Sequence, residues 1–554
     1  MSALALPAVA AGAHGAPAWT AAAVAAVATA VAAVRWLRVA QREHYLAGSC
    51  GRFAARWWTC RPANAALGLL AVAGVLAAAA GAGVHGSSVA SSASSAGALA
   101  VAVAVSVGPV GLGVRGRSAP LRWTRRLTTL AAAAAVPVVV VWALGAATGR
   151  PALAGAVTAL AAPWLVDAAC AVTAPLERRL AERFVDEAAA RLGRVAPTVV
   201  AVTGSYGKTS TKNHIRHLLD GSRSVVATPA SFNNRAGLAR AVNEQLADGT
   251  DVFVAEMGTY GPGEIAALCR WCPPSVSVIT AVGPVHLERF GSEDAILAEK
   301  STITDGVPDA VLCVDDPRLA RLAERLAAGG TRVVRCSATD RGADVAVVPA
   351  EGAGNGSDAG GGSRRVVVAD GRQVGGPVDL PPGVRPTNLA CALGVARALG
   401  TPLDQVVPRI GTLPAVDHRL APARSQGGFD ILDDTYNSNP AGAAAALAAL
   451  AALPARRRAV VTPGMVELGA RQAEENRRFG QAAAREADLV VVVGRTNRRA
   501  LLEGARRAGD RPGGEPAADV RWVRDRPAAV AVIRDELGAG DAVLYENDLP
   551  DHYP

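Results

Sequence analysis

Five apolar runs in the first 175 residues constrain the fold of this chain more than any other feature. Met1–Val34 carries no charged side chain, and Pro62–Val84, Ala93–Val114, Leu127–Gly149 and Pro151–Pro175 hold a single acid, Asp167. A bilayer core is crossed by about 20 residues of helix, and each run is long enough. An Ala-rich helix of a water-soluble bundle keeps one polar face, which these runs lack. The first run has no basic start and is followed by further runs, so it does not read as a cleaved signal. Asp167 is expected near a helix end, facing its neighbours.

Arginines then set the expected direction of crossing. Arg35, Arg38, Arg42, Arg52, Arg56 and Arg61 separate the first two runs, and Arg115, Arg117, Arg122, Arg125 and Arg126 separate the third and fourth. "HGSSVASSASS" has no Lys or Arg, and the last short loop has only Arg150. Basic loops stay on the cytoplasmic side. The expectation is a multi-pass protein of the plasma (inner) membrane with five spans, N-terminus out and C-terminus in. The charged exit "PLERRLAERFVDE" and everything after it would lie in the cytoplasm, where ATP is. The formal net charge of +9 flanks apolar runs, so nucleic acid is not the expected partner.

Beyond the runs, short apolar strands alternate with helices. Val199–Thr203, Val252–Glu256 and Val276–Thr280 read as strands and Thr209–Leu219 as a helix. Residues 350–365, "AEGAGNGSDAGGGSRR", read as a flexible surface loop. After "GTLPAVDHRLAPA" the alternation resumes, with strands at Asp430–Asp433, Arg458–Thr462, Leu489–Val493 and Ala542–Tyr545. Such alternation implies parallel sheets with helices on both faces. The expected organisation is a membrane region over 1–185 and two α/β domains over 186–411 and 412–554. The eight cysteines are scattered, and the one CxxC, Cys269 to Cys272, lacks a second pair. They read as ordinary semi-buried thiols, not as a zinc site or a disulfide framework.

"AVTGSYGKTSTK" (201–212) carries the chemistry. A full Walker loop needs four residues between its glycines; here only Ser205 and Tyr206 separate Gly204 from Gly207. Strand, glycine turn and helix start are nevertheless in register for binding phosphate. Lys208 would supply a point charge and Thr209 a Mg2+ ligand. Only three of the 57 basic residues are lysines, Lys208, Lys212 and Lys300. An amine does what a guanidinium cannot, so these positions are suspects. Lys212 is expected to face solvent or phosphate.

The short loop resembles that of the Mur ligases, ATP-dependent enzymes that form amide bonds. The resemblance continues in "SFNNRAG" (231–237), like the paired-asparagine segment of the member that adds D-alanyl-D-alanine. It extends to "VFVAEMG" (252–258), "VGPVHLERFGS" (282–292), "LAEKSTI" (297–303), "DHRL" (417–420), "ILDDTYNSNPAG" (431–442) and "TPGMVELG" (462–469). It implies a P-loop-type central domain and a Rossmann-like C-terminal domain behind the α-helical membrane bundle. It also implies ATP and Mg2+ as cofactors. Gly204, Ser205, Tyr206, Gly207, Lys208, Thr209, Ser210, Asn388, Arg419 and Asp434 would bind ATP. Thr209, Glu256, His286 and a carbamylated Lys300 would hold metal. Lys208, Lys300 and His286 would be catalytic, and Asn233, Asn234 and Asn437 would meet substrate.

The implied reaction is ATP-dependent peptide-bond formation through an acyl phosphate, in cell-wall precursor synthesis. It would add D-alanyl-D-alanine or a similar amine to a muramyl-peptide acceptor. Two departures stand out. Val384 and Arg385 occupy the place of the family's His-Asn pair, and membrane helices replace the usual domain that grips the UDP-sugar. A lipid-linked peptide or poly-amino-acid substrate is therefore an open alternative. So is an NTPase driving transport through the bundle, although Lys300 and His286 would then have no purpose.

Overall fold

The computed structural model describes residues 16–83, 88–114, 121–350, 364–414, 420–436, 438–509, 517–549 and 553. The chain divides into two compact units, Met1–Leu180 with Leu549–Pro554, and Ala181–Asp548. Most of the Gly/Ser-rich stretch expected to form a loop, residues 351–363, lies outside the described residues.

The first unit is helical. Its helices are α1 (Ala16–Arg42), α2 (Ser49–Thr59), α3 (Pro62–Gly83), α4 (Ser88–Val107), α5 (Arg125–Ala147) and the start of α6 (Pro151–Val195). Among the described residues five helices, all but α2, are long and apolar enough to cross a membrane. Glycines let two of them touch: a Cβ on Gly97 would fall 2.4 Å from the Gly74 carbonyl oxygen, and one on Gly81 would fall 2.3 Å from that of Ala90. Close backbone approach through small residues is how apolar helices associate without a hydrophobic drive between them.

Polar groups in this unit are used at helix ends. Arg35, counted from sequence as a loop charge, is buried. Its guanidinium donates to the carbonyls of Val105 (2.9 Å), Ser106 (3.1 Å) and Gly108 (2.5 Å), closing the C-terminus of α4. Positive charge there satisfies orphan carbonyls and opposes the helix dipole. Asp167 sits inside α6 and faces a neighbour. Its two oxygens accept the Cys50 and Gly51 amides at 3.0 and 2.7 Å, capping the first turn of α2 from another helix. The sequence reading passed over α2, whose buried Cys50, Phe53, Ala54 and Trp57 form one face at helical spacing.

The second unit holds two sheets. The strands of the first are β1 (Thr198–Thr203), β2 (Val225–Ala227), β3 (Val252–Glu256), β4 (Val276–Ile279), β5 (Asp309–Cys313), β6 (Arg332–Ser337), β7 (Val345–Pro349), β8 (Arg364–Ala369) and β9 (Arg372–Asp379). Their order is β2-β3-β1-β4-β5-β6-β7-β8-β9, parallel through β7 and antiparallel beyond. Strands β3, β4 and β5 are buried throughout, as helices on both faces of a parallel sheet require. Because β1 lies between β3 and β4, the chain leaves it at a switch point, where α/β folds open a crevice at the strand ends. The helix α7 (Lys208–Leu219) follows directly.

The second sheet comprises β10 (Ala421–Arg424), β11 (Asp430–Asp434), β12 (Arg458–Thr462), β13 (Leu489–Val493), β14 (Asp519–Val523) and β15 (Ala542–Glu546). Its order is β10-β11-β15-β12-β13-β14. Only β10 runs antiparallel to its neighbour. Both α/β folds and the helical bundle agree with the expected class.

Candidate functional site

The phosphate loop is shaped by close contact on all sides. Gly207 has φ +79°, and a Cβ there would lie 2.2 Å from Asn388 Oδ1. A Cβ on Gly204 would lie 2.0 Å from Thr280 Oγ1. Ser205 donates its amide to Ala281 O at 2.8 Å and receives the Gly283 amide at 2.9 Å on its hydroxyl. The Thr280 hydroxyl donates to the Tyr206 carbonyl, and Lys208 Nζ folds back onto Gly204 O at 2.8 Å. The loop delivers the chain into α7, whose first amides have no acceptor inside the helix. A backbone cradle with a lysine over it is suited to phosphate oxygens.

A cleft opens beside this loop. Tyr206, Gly207 and Ser210 line it from the first sheet's side together with Arg385 and Asn388, and Leu420, Asp434 and Asn439 line it from the second sheet's side. The cleft thus joins Asn388 and Asp434 to the loop. Arg385 is in the wall. Asn439 also caps helix Pro440–Ala452, accepting the Gly442 amide at 2.8 Å. Arg419 and Asn437 lie outside the described residues.

Charged groups are buried behind the loop. Glu256 ends β3 with 1% of its surface exposed, and Lys212 is equally buried. Lys212 Nζ stands 3.2 Å from Glu256 Oε2 and donates to the Ala230 carbonyl. The expectation that Lys212 faces solvent or phosphate is therefore corrected: its position on α7 points it beneath the loop, against the end of β3. Asn233 Nδ2 donates to Glu256 Oε1 at 3.2 Å, and Thr228 Oγ1 accepts the Glu256 amide at 3.1 Å. Asn234 caps the helix Arg235–Gln245, accepting the Gly237 amide at 2.9 Å.

Lys300 is buried as well, at 3% exposure. Burial, and next the Lys208 ammonium, hold its amine well below the usual lysine range, with Glu299 opposing. Glu299, which the sequence did not single out, anchors the helix Glu293–Ser301 that carries Lys300: its oxygens accept the Gly263 and Ile265 amides at 2.7 and 3.0 Å. His286 adopts φ +62° and its ring packs 5.3 Å from that of Tyr260. Its Nδ1 lies 2.5 Å from Glu467 Oε2, a residue of the segment "TPGMVELG" that precedes the helix Gln472–Glu486. That segment is held by Asn476, Asn497 and Asn547, whose side-chain amides bond the carbonyls of Pro463, Gly464 and Met465.

Glu546 was also missed. It ends β15 opposite Asp434 and is fully buried. The Ser438 hydroxyl donates to one oxygen and that of Thr462 to the other at 2.6 Å. Burial pushes its carboxyl up to about 7, despite those two hydroxyls and with help from Asp434. The signal was present: an acid ending an apolar strand, as at Glu256.

The residue types suit a divalent cation held jointly with phosphate. Among the described residues no three His, Cys, Asp or Glu side chains gather into a ready-made metal cluster. Glu256 Oε2 is buried and accepts no hydrogen bond of good geometry, its one near neighbour being the Lys212 ammonium at 3.2 Å, and Thr209 stands in the first turn of α7. A metal here would need further anionic donors. The cysteines are all free. Burial lifts the Cys269 thiol up to about 11, against reactivity.

Known proteins match on these same segments. The family model described as Mur ligase middle domain matches residues 202–395, and that described as Mur ligase, glutamate ligase domain, matches 418–545. The UDP-N-acetylmuramoyl-tripeptide–D-alanyl-D-alanine ligase of Mycobacterium bovis is 35% identical over 378 residues, covering 64% of this chain and 71% of that protein. The crystal structure of MurF ligase from Thermotoga maritima in complex with ADP is similar with TM-score 0.55 and 28% identity, over 66% of this chain and 80% of that one. MurF from Acinetobacter baumannii shares the fold with TM-score 0.56 at 23% identity, over 66% and 77%.

Proposed function

The chain belongs to the Mur ligase family of ATP-dependent, ADP-forming ligases, and on that premise we propose that it joins D-alanyl-D-alanine, or a similar amine, to a muramyl-peptide carboxylate. The observation that carries the reading is the buried Lys300 amine beside Lys208. Burial and the neighbouring Lys208 charge favour the free amine over the ammonium at Lys300, and a free amine that adds CO2 and gives up a proton becomes a carbamate. The product is an anion that Lys208 attracts, at a position where it repels a cation.

In this reading the loop Gly204–Ser210 grips the ATP phosphates and Arg419 also reaches them, with Asn388 and Asp434 on the rest of the nucleotide. Thr209, Glu256, His286 and the Lys300 carbamate would hold Mg2+, which would supply positive charge for the phosphate oxygens. Lys208 stabilises the charge developing on the transferred phosphoryl group. The substrate carboxylate takes the γ-phosphoryl group and ADP leaves. The amine then attacks the acyl carbon and expels phosphate. Asn233, Asn234 and Asn437 orient the two substrates, and the enzyme's main contribution is position. The functional regions are residues 1–185, 186–411 and 412–554.

Five apolar helices and the arginine-rich loops support a multi-pass protein of the plasma membrane with its ligase part in the cytoplasm. They also favour a second reading, in which the acceptor is lipid-linked. The test is ADP release by the purified full chain with UDP-N-acetylmuramoyl-tripeptide and D-alanyl-D-alanine. Release that needs both, and is lost in Lys300→Ala, supports the first reading; release only with a lipid-linked acceptor supports the second. ATP hydrolysis indifferent to any amine would overturn both. Intact-protein mass spectrometry at high bicarbonate, showing the mass of one CO2 on Lys300, would test the carbamate directly.

A further inference from the structure

Lys212 is not among the residues assigned above, yet it is as deeply buried as Glu256 and paired with it. A buried charge pair costs desolvation on both partners and is weak evidence for stability. This pair joins three pieces of the site. Lys212 belongs to the phosphate-loop helix. Ala230, whose carbonyl accepts from Nζ, lies in the segment that leads to Asn233 and Asn234. Glu256 closes the triangle, receiving Asn233 on its other oxygen. The carboxylate therefore has a fixed direction and a resident cation before any metal arrives.

We infer that Lys212 is a positioning residue that serves as the built-in counter-ion of Glu256 and makes metal entry depend on nucleotide. The inference rests on the ligase reading and its Mg2+. A divalent ion approaching Glu256 alone meets an ammonium 3.2 Å from the carboxylate oxygen. Even at the effective dielectric of a protein surface, two like charges a few ångströms apart repel strongly. ATP brings negative phosphate oxygens and reverses the sign of the field, so metal and nucleotide enter together. Arginine would keep the charge but not fit the compact ammonium's place, which accounts for a lysine here in a chain that otherwise prefers arginine.

The test is Mn2+ titration of the full chain in detergent, followed through the paramagnetic resonance of the free ion. Neither acceptor nor amine is present, so the result is separate from that of the ADP-release assay. Lys212→Gln keeps a donor for the Ala230 carbonyl and removes the charge. Without nucleotide it should bind Mn2+ at least about tenfold more tightly than wild type. Equal or weaker binding by a variant that still binds a non-hydrolysable ATP analogue would overturn the inference. Glu256→Gln provides the second arm. It should change nucleotide-free Mn2+ affinity less than about twofold, because Lys212 already occupies the carboxylate, and weaken Mn2+ binding with the analogue about tenfold or more. Loss of nucleotide-free binding in Glu256→Gln would show the carboxylate open to metal and refute the role of Lys212.

Discussion

Glu546→Gln should remove a pH-dependent weakness from the C-terminal sheet. The carboxyl is fully buried at the end of β15 and titrates at about 7, against an ordinary value of 4.5. The folded state thus holds its proton more tightly than the unfolded state. The stability this gives is full below pH 4.5 and is lost as pH rises through 7. Between pH 5.5 and pH 8 the linkage relation gives a loss of about 2 kcal/mol, or roughly thirtyfold in the opening equilibrium. Glutamine has the same shape and no titration, so its curve should be flat over this interval. Hydrogen exchange read by mass spectrometry on peptides spanning β11 and β15 measures the opening locally, after correction for the intrinsic pH dependence of exchange. It does not require the whole chain to unfold in one step. An equal loss in wild type and Glu546→Gln, or none in either, would refute the reasoning. In that case the two hydroxyl donors would be holding the carboxylate charged in the fold at neutral pH.

Other changes have sharp outcomes. Gly207→Ala forces a Cβ onto Asn388 at φ +79°, a backbone region that costs a non-glycine residue about 1–2 kcal/mol; calorimetry should show nucleotide affinity reduced about tenfold or more with both sheets intact by circular dichroism. Lys300→Arg keeps a cation but cannot form a carbamate, and should be as inactive in ADP release as Lys300→Ala. Asp167→Ala uncaps α2, and loss of a cap of this kind costs about 1 kcal/mol, measurable as a lower melting temperature in detergent. Glu467→Ala removes the partner of His286 Nδ1 and should lower kcat in ADP release with less effect on the KM for ATP, because Glu467 does not line the nucleotide cleft.

The sequence was most legible where one physical rule acts alone. Uninterrupted apolarity placed the five long helices, and buried valine runs placed β1, β3 and β4 to within a residue or so. Amphipathic α2 escaped because it is short and its face is completed by Asp167 on another helix. At the site, the glycine turn and the lysines at 208 and 300 announced themselves by residue type. Lys212 was misplaced because helical phase alone did not reveal that β3 ends beneath α7. Glu299, Glu467 and Glu546 were missed for a common reason. Each acts on a backbone amide, ring or hydroxyl brought close only by the fold; at Glu546 the acid ending an apolar strand was visible, but the Ser438 and Thr462 hydroxyls that bond it were not.

The scarcity of lysine has a consequence for anyone handling this protein. Its three lysines lie on the phosphate loop or behind it; Lys212 and Lys300 are closed off and Lys208 is only half-buried. The rest of the surface draws its positive charge from guanidinium groups, which acylating reagents leave alone. A mild amine-directed dye or cross-linker would therefore find a single side-chain target, and it is one that bound nucleotide should shield. Once the α-amino group is accounted for, the labelling stoichiometry of the purified chain counts accessible Lys208 side chains, and its fall on adding nucleotide measures the shielding.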